Sequence, residues 1–98
     1  MIQAIVKHPR YINIFVMLIR DNDAKRIEEY VRKLCEESKG CVGVNHEVSR
    51  VVKGFHYYRV TFGEEVDEVP KDVVEKIENF IRSIESITWY KIETRKVV

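Results

Sequence analysis

The chain has little of what usually announces a specific chemistry. Its 98 residues include two cysteines, Cys35 and Cys41, too few for a disulfide framework and spaced like no zinc motif. The three histidines, His8, His46 and His56, form no ligand pattern, so neither a metal nor a cofactor is expected. Long apolar runs are missing: the longest, Ile14 to Ile19, falls far short of the roughly 20 residues a membrane-spanning helix needs. The opening MIQAIVKHPR has no apolar segment or small-residue cleavage site of the kind a secretory signal carries, which makes a cytoplasmic location the expectation, with no membrane partner. Charge of one sign is missing too, since 17 basic and 16 acidic residues leave a formal charge of +1. Glutamine is scarce, and heavy use of Lys, Glu, Arg, Val and Ile suggests a thermophile. In that setting an intracellular Cys35–Cys41 bridge across a helix end is conceivable, although Cys35 is expected to face the core as a small hydrophobe.

With 45% hydrophobic and 34% charged residues, the composition is that of one folded domain over 1–98 with a single modest core. The chain is organised around Lys53-Gly54-Phe55-His56-Tyr57-Tyr58-Arg59-Val60-Thr61-Phe62, an aromatic, β-favouring run opened by glycine. In a period-2 strand Tyr58, Val60 and Phe62 share one face, and Phe55, Tyr57, Arg59 and Thr61 share the other. Tyr11 to Ile19 is a second strand with Ile12, Ile14, Val16 and Leu18 inward and Asn13, Phe15 and Met17 opposite. Residues 1–10 form an arm in which Ala4 and Val6 open a short strand that His8-Pro9 interrupts.

Asp21, Asn22 and Asp23 are each possible caps for a helix over 23–39, with Ile27, Val31, Leu34 and Cys35 at helical spacing and Gly40 as the C-cap. Cys41 to Val52 alternates, with Val42, Val44, His46 and Val48 on one face, and turns through Gly54 into the central run. A register in which paired numbers sum to 106 sets Glu47 opposite Arg59 and keeps His46 and His56 apart. Pro70 opens a second helix over 70–85, and Ile87 to Thr94 is the last strand, with Trp89 and Tyr90 on opposite faces. The order βαββαβ, with right-handed crossovers, gives an α+β ferredoxin-like sandwich: a four-stranded antiparallel sheet with both helices on one face.

The uncovered face then gathers Phe15, Met17, Phe55, Tyr57 and Arg59, and such a patch requires an occupant. Charge divides along the same line. The strand-rich stretches 1–20, 41–63 and 87–98 carry +7, and the helical stretches 21–40 and 64–86 carry −6, so a basic rim framing the sheet is expected.

KGFHYYRV at 53–60 resembles the longer ribonucleoprotein motif of RNA-recognition-motif domains, and IFVMLI at 14–19 resembles the shorter one in its first three positions. His56, Tyr58, Val60 and Leu18 depart from the two patterns. That resemblance implies a noncatalytic domain binding single-stranded nucleic acid, RNA or DNA, with Phe15, Phe55 and Tyr57 stacking on bases and Lys53, Arg59 and Arg95 contacting phosphate. The run from Ile14 to Phe62 is also similar in layout to the dimeric α/β-barrel families, antibiotic-biosynthesis-type monooxygenases among them. This second resemblance implies a homodimer that presses open sheet faces together around a small molecule, with Asn13 and His46 as the polar groups of interest. GFHYYRV also resembles the His-hydrophobic-His strand of rolling-circle nucleases. Tyr58 stands where the second histidine belongs, and 70–85 holds no tyrosine nucleophile.

Overall fold

The computed structural model describes residues 8–97; the arm proposed for the first residues, with Ala4 and Val6, lies outside them. The elements run β1 (Arg10–Leu18), α1 (Asp21–Glu37), β2 (Cys41–Val48), β3 (Phe55–Phe62), α2 (Lys71–Arg82) and β4 (Ile87–Lys96). The four strands form one antiparallel sheet in the order β2-β3-β1-β4. This is the ferredoxin-like βαββαβ sandwich that the alternation of periods predicted.

Strand periodicity places the core. Ile12, Ile14, Val16 and Leu18 of β1 and Tyr58, Val60 and Phe62 of β3 point to the helices and are buried, meeting Ile27, Val31 and Leu34 of α1 and Val73, Ile77 and Ile81 of α2. The Tyr58 hydroxyl donates to the Ala24 carbonyl oxygen at 2.8 Å, so the largest core residue keeps its polar end satisfied. At the start of α1 the cap position is Arg20, not one of the acidic residues. Asp23 sits in the first turn, where it accepts hydrogen bonds from Ser86 Oγ at 2.6 Å and Arg26 at 2.8 Å. Those two donors, Ser86 foremost, hold its carboxyl below the usual carboxylate range.

Three local expectations are corrected. The β2–β3 register sums to 104: Asn45 opposes Arg59, and Glu47 opposes Tyr57. A two-residue slip leaves every side chain on its face, so face patterning could not detect it. An irregularity between Cys41 and Gly43 turns Val42 outward, 58% exposed, where strict alternation had put it inside. Cys35, expected as a core thiol, is bonded to Cys41. It is only partly buried at the edge of the core, and the bond ties the end of α1 to the start of β2.

Candidate functional site

The sheet face away from the helices carries a polar centre in an aromatic setting. Asn13, in the middle of β1, is 2% exposed although no helix covers it. Its Oδ1 accepts from the Tyr57 hydroxyl at 2.8 Å and from Arg59 Nε at 3.0 Å, and its Nδ2 donates to Glu93 Oε1 at 3.3 Å. Arg59 Nε also reaches the Tyr57 hydroxyl oxygen at 2.7 Å, while its guanidinium lies 4.1 Å from the Tyr11 ring centroid. Four adjoining side chains from β1, β3 and β4 therefore fix one another, and Arg59 is clamped between a hydrogen-bond fork and an aromatic face.

Towards the Gly54 end of the sheet the face becomes apolar. Phe15 packs against Tyr57 at 4.9 Å and Phe55 at 6.3 Å between ring centroids, and Trp89 meets Phe55 edge-on at 6.5 Å. Trp89 remains 49% exposed. Its neighbour Tyr90 turns to the helix side, where its hydroxyl bonds Glu78 Oε2 at 3.2 Å. This resolves which of the adjacent aromatics faces out.

Of the six residues expected to contact nucleic acid, Phe15, Phe55, Tyr57 and Arg59 come together. Lys53 stands exposed in the turn before β3, and Arg95 is exposed beside Tyr11 at the other end of the face. At about 3.3 Å per strand residue the two ends lie roughly 20 Å apart, so Lys53 and Arg95 flank the cluster at opposite ends and do not converge with each other. The Glu47–Arg59 pair does not exist; Asn13, Tyr57 and Tyr11 hold Arg59 instead.

A second polar assembly lies beneath α1. His46 Nδ1 bonds Glu28 Oε1 at 2.6 Å, and His46 Nε2 bonds His56 Nδ1 at 2.9 Å. The two histidines were expected to stay apart; the 104 register makes them diagonal neighbours. Glu28 is held low in pKa first by the His46 hydrogen bond and then by Arg32, so it is a carboxylate and His46 donates to it from Nδ1. The second bond joins the two rings through His46 Nε2 and His56 Nδ1, and the far nitrogen, His56 Nε2, is buried without a partner. Burial, then the neighbouring His46, pushes the pKa of His56 below its ordinary 6.5. The folded state therefore holds this proton less tightly than the unfolded state, and stability is full above pH 6.5 and falls as pH drops through and below that value. A thermal-denaturation series should show Tm declining between pH 6.5 and 5, and His56→Gln should flatten the decline; an equal slope in the variant would refute the assignment. Glu28 acts lower, as pH falls through the carboxylate range.

Among the described residues, no group of three or more His, Cys, Asp or Glu is arranged to hold a metal ion, and no helix is long and apolar enough to cross a membrane.

Neither a family model nor a curated protein matches the chain; solved structures do. A Bordetella bronchiseptica protein, provisionally described as an antibiotic biosynthesis monooxygenase, superposes with a TM-score of 0.67 at 14% identity, over 94% of this chain and 99% of that one. SnoaB, a cofactor-independent oxygenase from Streptomyces nogalater, gives 0.62 at 6% identity over 92% of each chain. The de novo designed protein Foldit4 gives 0.61 at 18% identity, covering 92% of this chain and 97% of its own. At such identities the likeness establishes the fold alone, and a designed protein among the matches shows how little function the fold dictates.

These comparisons correct the nucleic-acid reading. The full-length matches bring monooxygenase-like proteins and fit the dimeric α/β-barrel resemblance, with no support for an RNA-recognition-motif domain. The side chains give the physical reason: the Tyr57 hydroxyl and Arg59 Nε are turned onto Asn13, and Phe15 packs against both Tyr57 and Phe55, a fixed polar centre with an aromatic border rather than the separate stacking rings and mobile phosphate contacts that base binding uses.

Proposed function

We propose that two copies of this chain close their uncovered sheet faces on one another and hold a small organic molecule between them. The buried Asn13–Tyr57–Arg59 centre, set beside the Phe15, Phe55 and Trp89 rings on a face no helix covers, carries this reading. A lone protomer leaves that aromatic surface in water, where large apolar patches mark interaction sites. A flat polar centre walled by two aromatic rims makes a pocket with few, fixed hydrogen-bonding groups. Arg59 spends Nε on Asn13 and Tyr57, so its Nη groups are the donors left for an oxygen of the bound molecule, and the Tyr11 ring holds the guanidinium plane. The oxygenase descriptions of SnoaB and the Bordetella protein extend the reading to an oxygen-dependent transformation of that molecule.

Light scattering coupled to size exclusion tests the assembly. A mass of about 23 kDa, twice the 11.7 kDa chain, is expected at micromolar concentration, with Trp89 fluorescence poorly quenched by acrylamide. The aromatic anion 8-anilinonaphthalene-1-sulfonate is the probe for the enclosed space, and Arg59→Gln should weaken its binding about tenfold, the loss of one charge-assisted hydrogen bond. A monomer with freely quenched Trp89 would overturn the proposal.

A further inference from the structure

On the helix side of the sheet, where α2 begins and β1 and β4 meet their ends, lies a cavity of about 550 Å³, within the range of small-ligand sites. Arg10, the first residue of β1, lines it and is only 8% exposed. Its guanidinium donates Nε to the Asp67 carbonyl oxygen at 2.9 Å and Nη1 to the His8 carbonyl oxygen at 2.8 Å. Among the described residues, no carboxylate forms a salt bridge with it. A buried cation without a counter-charge is expensive, and three of its five N–H donors are still unassigned.

The surroundings add positive charge. Lys71, Arg95 and Lys96 stand on the rim of the same cavity, against Glu68 and Glu75, so the lining carries a net +2. α2 starts at Lys71 with no side-chain cap at Pro70, and its N-terminal end adds its partial positive charge. Val69 and Val74 provide an apolar wall. We infer that this cavity binds a small organic anion, its carboxylate or phosphate head on Arg10 and its apolar body along Val69 and Val74. The site lies across the sheet from the Asn13–Tyr57–Arg59 centre, so it stands or falls independently of the dimer cavity.

Octanoate and inorganic phosphate are the probes, followed by calorimetry and thermal shift on the full chain. Octanoate should bind and raise Tm, and phosphate, lacking an apolar body, should bind at least tenfold more weakly. Octanoate affinity should fall with added salt. Arg10→Gln should abolish octanoate binding; because that substitution touches a buried residue, Lys71→Gln/Lys96→Gln on the exposed rim provides the second reading. The double variant should keep the unliganded Tm and lose about tenfold in octanoate affinity. No Tm shift at millimolar octanoate, or equal and salt-independent binding by the double variant, overturns the inference. Phosphate binding as tight as octanoate would overturn the role given to the Val69–Val74 wall.

Discussion

Phe15→Asp should convert the protein to a monomer of unchanged fold. Phe15 sits at the centre of the aromatic face, against both Tyr57 and Phe55, and points away from the helices, so a carboxylate there meets water in the protomer. In a two-fold assembly each copy contributes the same patch, and a single substitution acts twice. Burying an unpaired carboxylate has an effective penalty of several kcal/mol per ion. At about 1.4 kcal/mol per tenfold, two such penalties weaken dimerisation by more than a thousandfold. Scattering at micromolar concentration should therefore report the single-chain mass, with far-ultraviolet circular dichroism unchanged. A variant that stays dimeric would place the interface elsewhere; one that unfolds would show that Phe15 belongs to the protomer's own core, against its half-buried position. Asn22→Asp, exposed on α1 and so on the helix side, is the control for surface charge alone, and should leave the mass unaltered.

What the sequence made legible was whatever depends on periodicity. The inward sets Ile12-Ile14-Val16-Leu18 and Tyr58-Val60-Phe62 follow from alternation, and the α1 and α2 stripes from helical spacing; together they dictate the fold. Asn13 was visible as a polar residue on the uncovered face, and Phe15, Tyr57 and Arg59 as its neighbours. Its third partner, Glu93, was not. The Glu93 contact depends on the β1–β4 register, and the His46–His56 contact on the β2–β3 register, and a slip by two leaves the alternation intact while exchanging every cross-strand partner. Arg10 was hidden differently. Placed before the first strand, beside Pro9, it has the look of an exposed arm residue, yet it stands two positions before Ile12 and so shares the inward face of β1. The family resemblances diverged for a related reason: aromatic residues alternating on central strands satisfy both a base-stacking sheet and a dimer seam. Only side-chain geometry separates them, through Tyr57 and Arg59 turned onto Asn13.

Gly54→Ala is expected to be the most damaging single-methyl change in the chain. Gly54 has φ +84°, and a Cβ built there would lie 2.5 Å from the Leu18 carbonyl oxygen, a backbone atom that no rotamer change can move. The same residue accepts the Leu18 N–H at 2.9 Å through its own carbonyl. Left-handed backbone disfavours alanine by about 1–2 kcal/mol, and the opening of the β1–β3 end needed to relieve the clash loses a hydrogen bond of about 1 kcal/mol. A total of about 2–3 kcal/mol corresponds to a Tm drop of about 8–24 °C in a chain of this size. Gly43→Ala, with nothing within 4 Å of its Cβ position, should fall within a few degrees of wild type. Equal effects at the two glycines would contradict the close approach of Gly54 to β1. The consequence reaches the functional face, because Gly54 is the hinge from which Phe55 is laid against Met17 and Trp89. Where Gly54→Ala remains folded, the aromatic rim should loosen first, and dimer affinity should drop beyond what the Phe55 contact alone accounts for.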